Sequence, residues 1–221
     1  MSDAVKKKSE ETRERIMKAA LAMFHDDGFD STTMRDIARK AGMATGAAYY
    51  YFDSKDAIVL AFYDRARSEM EPALEQALEK SHDLKERLRN LIQVKLDYFT
   101  PSRKLLGALS GHVNPDSPLS PFSEQTRAIR EHDIAFFARA LQESRTPGPK
   151  DLKTHLPHLL WMYQMGIILF WIYDSSRGQT KTDFLLAKSL DIVVRLIKLS
   201  SLPLTGPIRR SVVQLMDTVM S

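Results

Sequence analysis

Apolar residues recur along this chain at the spacing of helices, not of strands. The first stripe has members at i, i+3, i+4, i+7 and i+8, on one side of a helix that we predict to begin at Glu10: Ile16, Ala19, Ala20, Met23 and Phe24. Apolar and polar residues rarely alternate in the manner of a strand bounded by turns. The pattern therefore predicts an all-α protein with about nine or ten helices.

Two short helices follow a glycine turn at Gly28. Thr33 and Asp36 have the spacing of a capping box at a helix start, and Gly42 is placed to end that helix. A further helix over about 44–52 directs Ala48 and Phe52 inward. The pair has the layout of a helix-turn-helix.

The second of these helices carries three consecutive tyrosines. Because three successive residues point in three directions, Tyr49, Tyr50 and Tyr51 cannot all be buried. We expect Tyr50 to point outward with the other two on the flanks. Asp53 or Ser54 is then placed to cap a fourth helix.

Stretches rich in Gly, Pro, Ser and Asp separate about six further helices. They lie at 81–83, 100–102, 114–121, 145–150, 174–179 and 203–207. We predict two domains: a small three-helix domain over residues 1–56, with a flexible polar tail at 1–9, and a larger helical domain over 57–221. A length of 221 residues suits one small and one larger domain.

Composition excludes several classes of protein. The absence of cysteine removes disulfides, thiolate metal sites and cysteine nucleophiles, and fits a cytoplasmic protein. Lys6–Lys8 are followed by charged residues and not by the apolar core of a signal peptide. The most apolar run, 159–173, contains Gln164 and Gly166 and is shorter than the ~20 residues of a membrane span. We expect a buried helix there and no membrane partner.

Net charge does not by itself predict a nucleic-acid partner. The chain carries +4, from 32 basic and 28 acidic residues, but residues 1–56 contain ten of each. Only the placement of single charges can therefore support DNA binding.

Five motifs at fixed spacings carry a family resemblance over residues 12–62. They are F-x-x-x-G-F at 24–29, T-T-M-R-D-I-A at 32–38, A-G at 41–42, T-G-A-A-Y-Y-Y-F at 45–52 and S-K at 54–55. Together they resemble the N-terminal domain of the TetR family of bacterial transcriptional repressors. The resemblance implies a homodimer whose paired recognition helices enter successive major grooves of a near-palindromic operator, and a small molecule that releases the protein. The remainder resembles the family only as a helical domain of suitable length.

The resemblance also implies which residues meet DNA. It places Thr45, Gly46 and Ala47 nearest the base edges and the three tyrosines along the phosphates. Arg35 matches a position at which some members read guanine, and Thr33 and Lys55 match phosphate-contacting helix starts.

The chain departs from the family pattern at three positions of the reading helix. Ala48 replaces a larger aliphatic residue, Ala44 removes a hydroxyl cap, and Tyr51 stands where histidine is frequent. With few polar base readers left on that helix, we expect Arg35 or DNA shape to supply specificity.

The larger domain is predicted to hold the effector pocket. For a small apolar or amphipathic effector we predict a pocket formed by six residues: Phe99, Leu109, His112, Phe136, Trp161 and Met165. His112 is equally compatible with a loop role, and Phe170 is a further cavity candidate. We interpret Met162, Ile168, Leu169 and Ile172 as core.

The predicted dimer interface uses the helices at 155–173 and 182–200, two from each subunit. On the second helix we predict one continuous face with a polar margin: Phe184, Ala187, Leu190, Asp191, Val194, Arg195 and Lys198.

Two other classes of function find less support in the sequence than a regulator. An enzyme lacks support because no paired Glu-x-x-His motif, nucleophile elbow or phosphate-binding glycine loop is found. His155 and His158 have a chelating spacing, but Pro157 lies between them and no acidic residue is paired with them, so we predict no metal and no cofactor. A helical adaptor that binds only protein is the third class. The sequence is equally compatible with a repressor and with an activator.

Overall fold

The computed structural model describes residues 3–146 and 148–220, and every regular element in those ranges is helical. The α-helices are α1 (Asp3–Asp26), α2 (Met34–Lys40), α3 (Thr45–Tyr51), α4 (Lys55–Glu79), α5 (Leu84–Phe99), α6 (Arg103–Leu109), α7 (Arg127–Gln142), α8 (Leu156–Tyr173), α9 (Thr180–Ser200) and α10 (Gly206–Met220). Short 3₁₀ turns occur at Thr100–Ser102, Lys150–Leu152, Arg177–Gln179 and Pro203–Thr205. The prediction of an all-α fold is confirmed.

Helix α1 begins earlier than the sequence pattern predicts. It starts at Asp3 and not at Glu10, so the predicted tail at 1–9 is helical from Asp3 onward, and Met1 and Ser2 lie outside the described residues. Lysine and glutamate are good helix formers, and Lys6–Glu10 and Lys7–Glu11 have the i,i+4 spacing of favourable pairs. Propensity therefore extends the helix where the apolar stripe gives no signal.

Contacts within the chain divide it into two compact units. The N-terminal unit contains the chain up to Ser68 together with Pro101–Ile129, and the C-terminal unit contains Glu69–Thr100 and Arg130 onward. The unit that contains the helix-turn-helix thus includes α6 as well as α1–α3. The functional boundary at 56/57 stays a prediction.

The core of the N-terminal unit is built on the predicted stripe of α1. Ile16, Ala20 and Phe24 are fully buried, and α1 packs against both α2 and α6. The rings of Phe24 and Phe29 meet edge to face at 5.0 Å between centroids. Gly28, at φ +89°, makes the turn that returns Phe29 onto its own helix. This core holds α2 and α3 in place.

The core of the C-terminal unit contains charged side chains. Lys95 Nζ lies 2.7 Å from Asp133 Oδ1, and both side chains are buried. The neighbouring His132 donates a hydrogen bond from Nε2–H to the Glu71 carboxylate, while its Nδ1 is 3.9 Å from Asp133 Oδ1. These pairs link α4, α5 and α7. Removing one partner of such a pair would leave an unpaired charge in the core, which is strongly unfavourable.

Helix α8 is longer than the apolar run seen in the sequence. It spans 18 residues, and among the described helices it is the one long and apolar enough to cross a membrane by length and composition, with 39% of it buried. The core helix of a soluble protein passes the same test. Its low burial comes from an apolar face that the rest of the chain does not cover.

Candidate nucleic-acid interface

The start of α2 is held by the predicted capping box. Thr33 Oγ1 accepts from the Asp36 N–H at 3.2 Å, and the Thr33 N–H donates to Asp36 Oδ2 at 3.3 Å. The Asp36 carboxylate is stabilised by the Thr33 hydroxyl, which lowers its pKa, and it also pairs with Arg39. The box therefore fixes the direction of α2 and confirms the prediction for Thr33 and Asp36.

The turn between α2 and α3 depends on Gly42. Gly42 has φ +68°, a left-handed conformation that favours glycine, and its N–H donates to Arg39 O. The Met43 N–H donates to Ala38 O at 3.0 Å, which completes a Schellman motif. The chain then enters α3 at a fixed angle to α2.

Helix α3 buries Ala48, its C-cap residue Phe52 is also buried, and its tyrosines face outward to different extents. Ala48 is fully buried and Phe52 nearly so, as predicted, while Tyr50 is 83% exposed and Tyr49 is 49% exposed. Tyr51 is half-buried, and its ring packs edge to face on Tyr50 at 5.2 Å between centroids. The outer surface of α3 thus presents phenol hydroxyl groups, which donate and accept hydrogen bonds.

Arg35 is the second residue of α2. Arg35 is exposed, and within residues 3–146 and 148–220 it forms no hydrogen bond or ion pair. Arg39, one turn further along, is held by Asp36 at 2.6 Å. Of these two arginines, Arg35 therefore has its full set of donors available for a ligand.

Lys55 has a structural contact that the sequence did not predict. Its ammonium donates to Phe29 O at 2.6 Å and lies 4.5 Å from the centroid of the Phe29 ring. Lys55 thus ties the first turn of α4 to the turn after α1. Ser54, one of the two predicted caps, accepts from the Ala57 N–H at 3.1 Å and caps α4.

Family models match both parts of the chain. The model described as bacterial regulatory proteins of the tetR family matches residues 16–62, and the tetracyclin repressor-like C-terminal domain matches residues 87–215. The second match alone covers more than half of the 221 residues. The chain belongs to the TetR family.

Individual relatives agree with this assignment. The transcriptional repressor KstR of Mycolicibacterium smegmatis is 26% identical over 187 residues, which is 85% of this chain and 87% of KstR. Among solved structures, a TetR-family regulator from Syntrophomonas wolfei has a TM-score of 0.64 at 16% identity and covers 84% of this chain and 95% of its own. The fatty acid degradation regulator FadR from Bacillus halodurans has a TM-score of 0.63 at 16% identity, with coverage of 83% and 94%. The two structures establish a shared fold, and the family match establishes a DNA-binding regulator.

The predicted DNA-contacting residues of this TetR-family protein all lie in the N-terminal unit, on α2, α3 and the start of α4. Gly46 and Ala47 are exposed and Thr45 is half-buried at the beginning of α3. Thr33 and Lys55 have side chains already engaged within the protein, unlike Arg35. Their contacts with phosphate stay predictions.

The six residues of the predicted effector pocket are divided between the two units. Leu109 and His112 belong to the N-terminal unit, where His112 packs edge to face on Phe29 at 5.3 Å. Phe99, Phe136, Trp161 and Met165 belong to the C-terminal unit. The sequence does not indicate that α6 packs on α1, so it does not separate Leu109 and His112 from the other four residues.

Two residues of the predicted dimer face of α9 are placed incorrectly. Leu190 is 0% exposed and Val194 is 7% exposed, so both pack inside their own subunit. Asp191 is held by Lys85 at 2.7 Å, and Ala187 is half-buried. Phe184, Arg195 and Lys198 are exposed, as an interface residue must be.

The exposed apolar face of α9 is rotated by nearly a third of a turn from the predicted one, at about 100° per residue. It consists of Phe184, Ile192, Leu196 and Leu199. Helix α8 has a similar face, on the side opposite its buried stripe: Met162, Leu169, Phe170 and Tyr173. Met162 and Leu169 were expected in the core, and that expectation is wrong. Because α8 is apolar all round, its sequence does not indicate which side is inward.

The two spaced histidines at the start of α8, the N-cap residue His155 and His158, have separate partners. His155 Nε2 lies 3.2 Å from Asp217 Oδ1, and His158 Nδ1 lies 3.2 Å from Thr154 O. Among the described residues, no group of three or more His, Asp or Glu side chains is arranged to hold a metal ion.

Proposed function

We propose that this TetR-family protein is a repressor that binds a near-palindromic operator as a homodimer and is released by a small apolar or amphipathic effector. The observation that carries the proposal is the outer surface of the helix-turn-helix, where exposed tyrosines on α3 lie in one unit with the free guanidinium of Arg35. Repression is supported by the name of KstR, a transcriptional repressor.

On the DNA side, the roles divide between positioning and reading. The hydroxyl groups of Tyr49, Tyr50 and Tyr51 suit phosphate oxygens, which fix register without reading sequence. Arg35 suits the O6 and N7 acceptors of guanine, which an arginine can contact with two hydrogen bonds. Thr45 and Ala47 offer methyl groups that fit the thymine methyl.

On the dimer side, the exposed apolar faces of α8 and α9 support a second copy as the partner. A face of this kind is unfavourable in water, and two helices from each subunit would bury it in a four-helix bundle. A two-fold axis brings the same face of each subunit together, so the face needs to complement only itself. This arrangement also accounts for the low burial of α8 without a membrane.

We place the DNA-reading function in residues 1–56 and the dimerisation and effector functions in residues 57–221. The apolar effector is supported by two buried tryptophans of α8, Trp161 and Trp171, and by the name of FadR, a regulator of fatty acid degradation. Such a protein acts in the cytoplasm, where chromosomal DNA is accessible, and its family is not normally enzymatic.

The test is a nuclease footprint of the purified protein on the DNA upstream of its own gene. The proposal expects two protected half-sites, related by two-fold symmetry and separated by about one helical turn of DNA or a multiple of it. Protection of a single half-site, or none on any promoter fragment at low salt, would contradict it.

A further inference from the structure

Gln164 occupies the middle of the buried face of α8. Its side chain is 1% exposed, and its neighbours on that face are all apolar: Leu160, Trp161, Ile167 and Trp171. In the part of the chain that the structure describes, neither Nε2 nor Oε1 of Gln164 has a hydrogen-bond partner. A complete carboxamide is thus buried with its polar atoms unsatisfied by protein.

Other buried polar side chains of the C-terminal unit do have partners. Asp174 Oδ2 accepts from the Thr182 hydroxyl at 2.7 Å, and Asp133 pairs with Lys95 at the same distance. A buried amide without partners is unfavourable, and a leucine of similar size would serve a purely structural role better. Gln164 is therefore the exception that a structural role does not explain.

The chemistry of the carboxamide indicates what would satisfy it. It offers two donors and one acceptor at adjacent atoms, so a single group that both donates and accepts, such as a hydroxyl or another amide, can pair with both sides. The carboxamide carries no charge, and a charged group brought onto this apolar face would lose its hydration without an opposite charge. An uncharged group is the better partner.

We propose that Gln164 is the polar anchor of the effector site, and that the effector is an uncharged, largely apolar molecule with one hydroxyl or carboxamide group. The apolar body lies along the side chains that share the buried face with Gln164. That face runs from Leu160 to Trp171, about 16 Å along the helix axis at 1.5 Å per residue, which suits an extended aliphatic chain. The identification of the ligand as the effector rests on the proposed function, whereas binding at Gln164 does not.

The first experiment uses two variants without any ligand. Gln164→Leu replaces the carboxamide with an apolar group of similar size, and Gln142→Leu makes the same change at an exposed position of α7. We expect Gln164→Leu to unfold at a higher temperature than the wild type, while Gln142→Leu changes the unfolding temperature little. A lower unfolding temperature for Gln164→Leu alone would show that its amide is already satisfied, by a side chain or an internal water, and would overturn the proposal.

The second experiment observes the side-chain amide of Gln164 by nitrogen-15 NMR in the full-length protein, with Gln164→Leu identifying the signal by its loss. The probes are 1-decanol and decanamide, which both donate and accept, and 1-methoxydecane, which only accepts. We expect the first two to shift the Gln164 signal and to bind about tenfold more tightly than the ether, a ratio that corresponds to one good hydrogen bond. In Gln164→Leu that preference is lost.

Failure of this inference and failure of the proposed function give different results. If neither 1-decanol nor decanamide shifts the Gln164 signal at its solubility limit, or if the ether binds equally well, the anchor role is wrong, whatever the protein does with DNA. If the probes shift the signal but the protein binds no DNA, the anchor stands and the regulator is wrong.

Discussion

Two exposed surfaces of this protein differ in chemistry. On α3, Tyr50 is 83% exposed and carries a hydroxyl group, while on α9, Ile192 and Leu196 are each 59% exposed and carry none. A phenol hydroxyl can bond a phosphate oxygen, whereas an aliphatic side chain gains only by leaving water. The chemistry of each surface therefore supports a different one of the two proposed partners: DNA for α3, and a second copy for α8 and α9.

The largest effect is expected from charge on the apolar surface. Ile192→Glu combined with Leu196→Glu places two carboxylates on the proposed interface, where both would be desolvated beside their symmetry mates. We expect a monomer at micromolar concentration by light scattering and a loss of operator affinity of at least a hundredfold, about 2.7 kcal/mol.

The matched control is Leu204→Glu, which makes the same change at a leucine that is 92% exposed and off the apolar face of α9. It is expected to remain dimeric. If the double variant also remains dimeric, the assignment of that surface is wrong.

The second prediction concerns base reading by Arg35. Arg35→Ala removes the free guanidinium, and we expect discrimination to fall by about 1–3 kcal/mol at one operator position in each half-site. Competition binding with a library of singly substituted operators measures it. An equal loss on every sequence would show that Arg35 contacts phosphate and reads no base.

Lys55→Ala provides the contrasting case. We expect operator binding to weaken alike on all sequences and the salt dependence to become shallower by about one phosphate contact per subunit. Because Lys55 also bonds Phe29 O, the variant should lose about 1.5–3 kcal/mol of unfolding free energy, measured separately in urea. A sequence-selective loss of binding would refute the phosphate role.

Sequence alone accounts for the helix-turn-helix better than for the larger unit. The capping box at Thr33, the left-handed Gly42 and the inward Ala48 and Phe52 all follow from local rules that act over a few residues. The packing of α6 on α1, which places His112 against Phe29, joins residues far apart in the chain. No local rule predicts it.

The apolar faces of α8 and α9 show a second limit. Both sides of α9 carry aliphatic residues, one set for its own core and one left exposed, so the buried Leu190 and the exposed Ile192 are two positions apart on different faces. Periodicity in the sequence indicates that a helix has an apolar face, but it does not indicate whether that face is buried in the protein's own core or left exposed.

The smallest expected effect concerns the core of the C-terminal unit, which should respond to pH independently of either surface. The carboxylates of Asp133 and Glu71 raise the pKa of His132 above its ordinary 6.5. A raised pKa contributes stability that is fully present below pH 6.5 and is lost as pH rises through the folded value.

We therefore expect the urea midpoint of the wild type to decline above about pH 6.5, and His132→Gln to flatten that decline. A wild-type midpoint that rises over the same range, or an unchanged decline in the variant, would contradict the assignment to His132.

The most direct test of DNA reading by α2 and α3 is a salt titration of binding to a fluorescent duplex from the protein's own promoter. We expect the logarithm of the association constant to fall linearly with the logarithm of salt concentration, with a slope of about −0.9 for each phosphate contacted. Tyr50→Ala should weaken binding to the same duplex. Binding that does not change with salt, or the absence of binding at low salt, would show that α2 and α3 do not bind DNA through its phosphates.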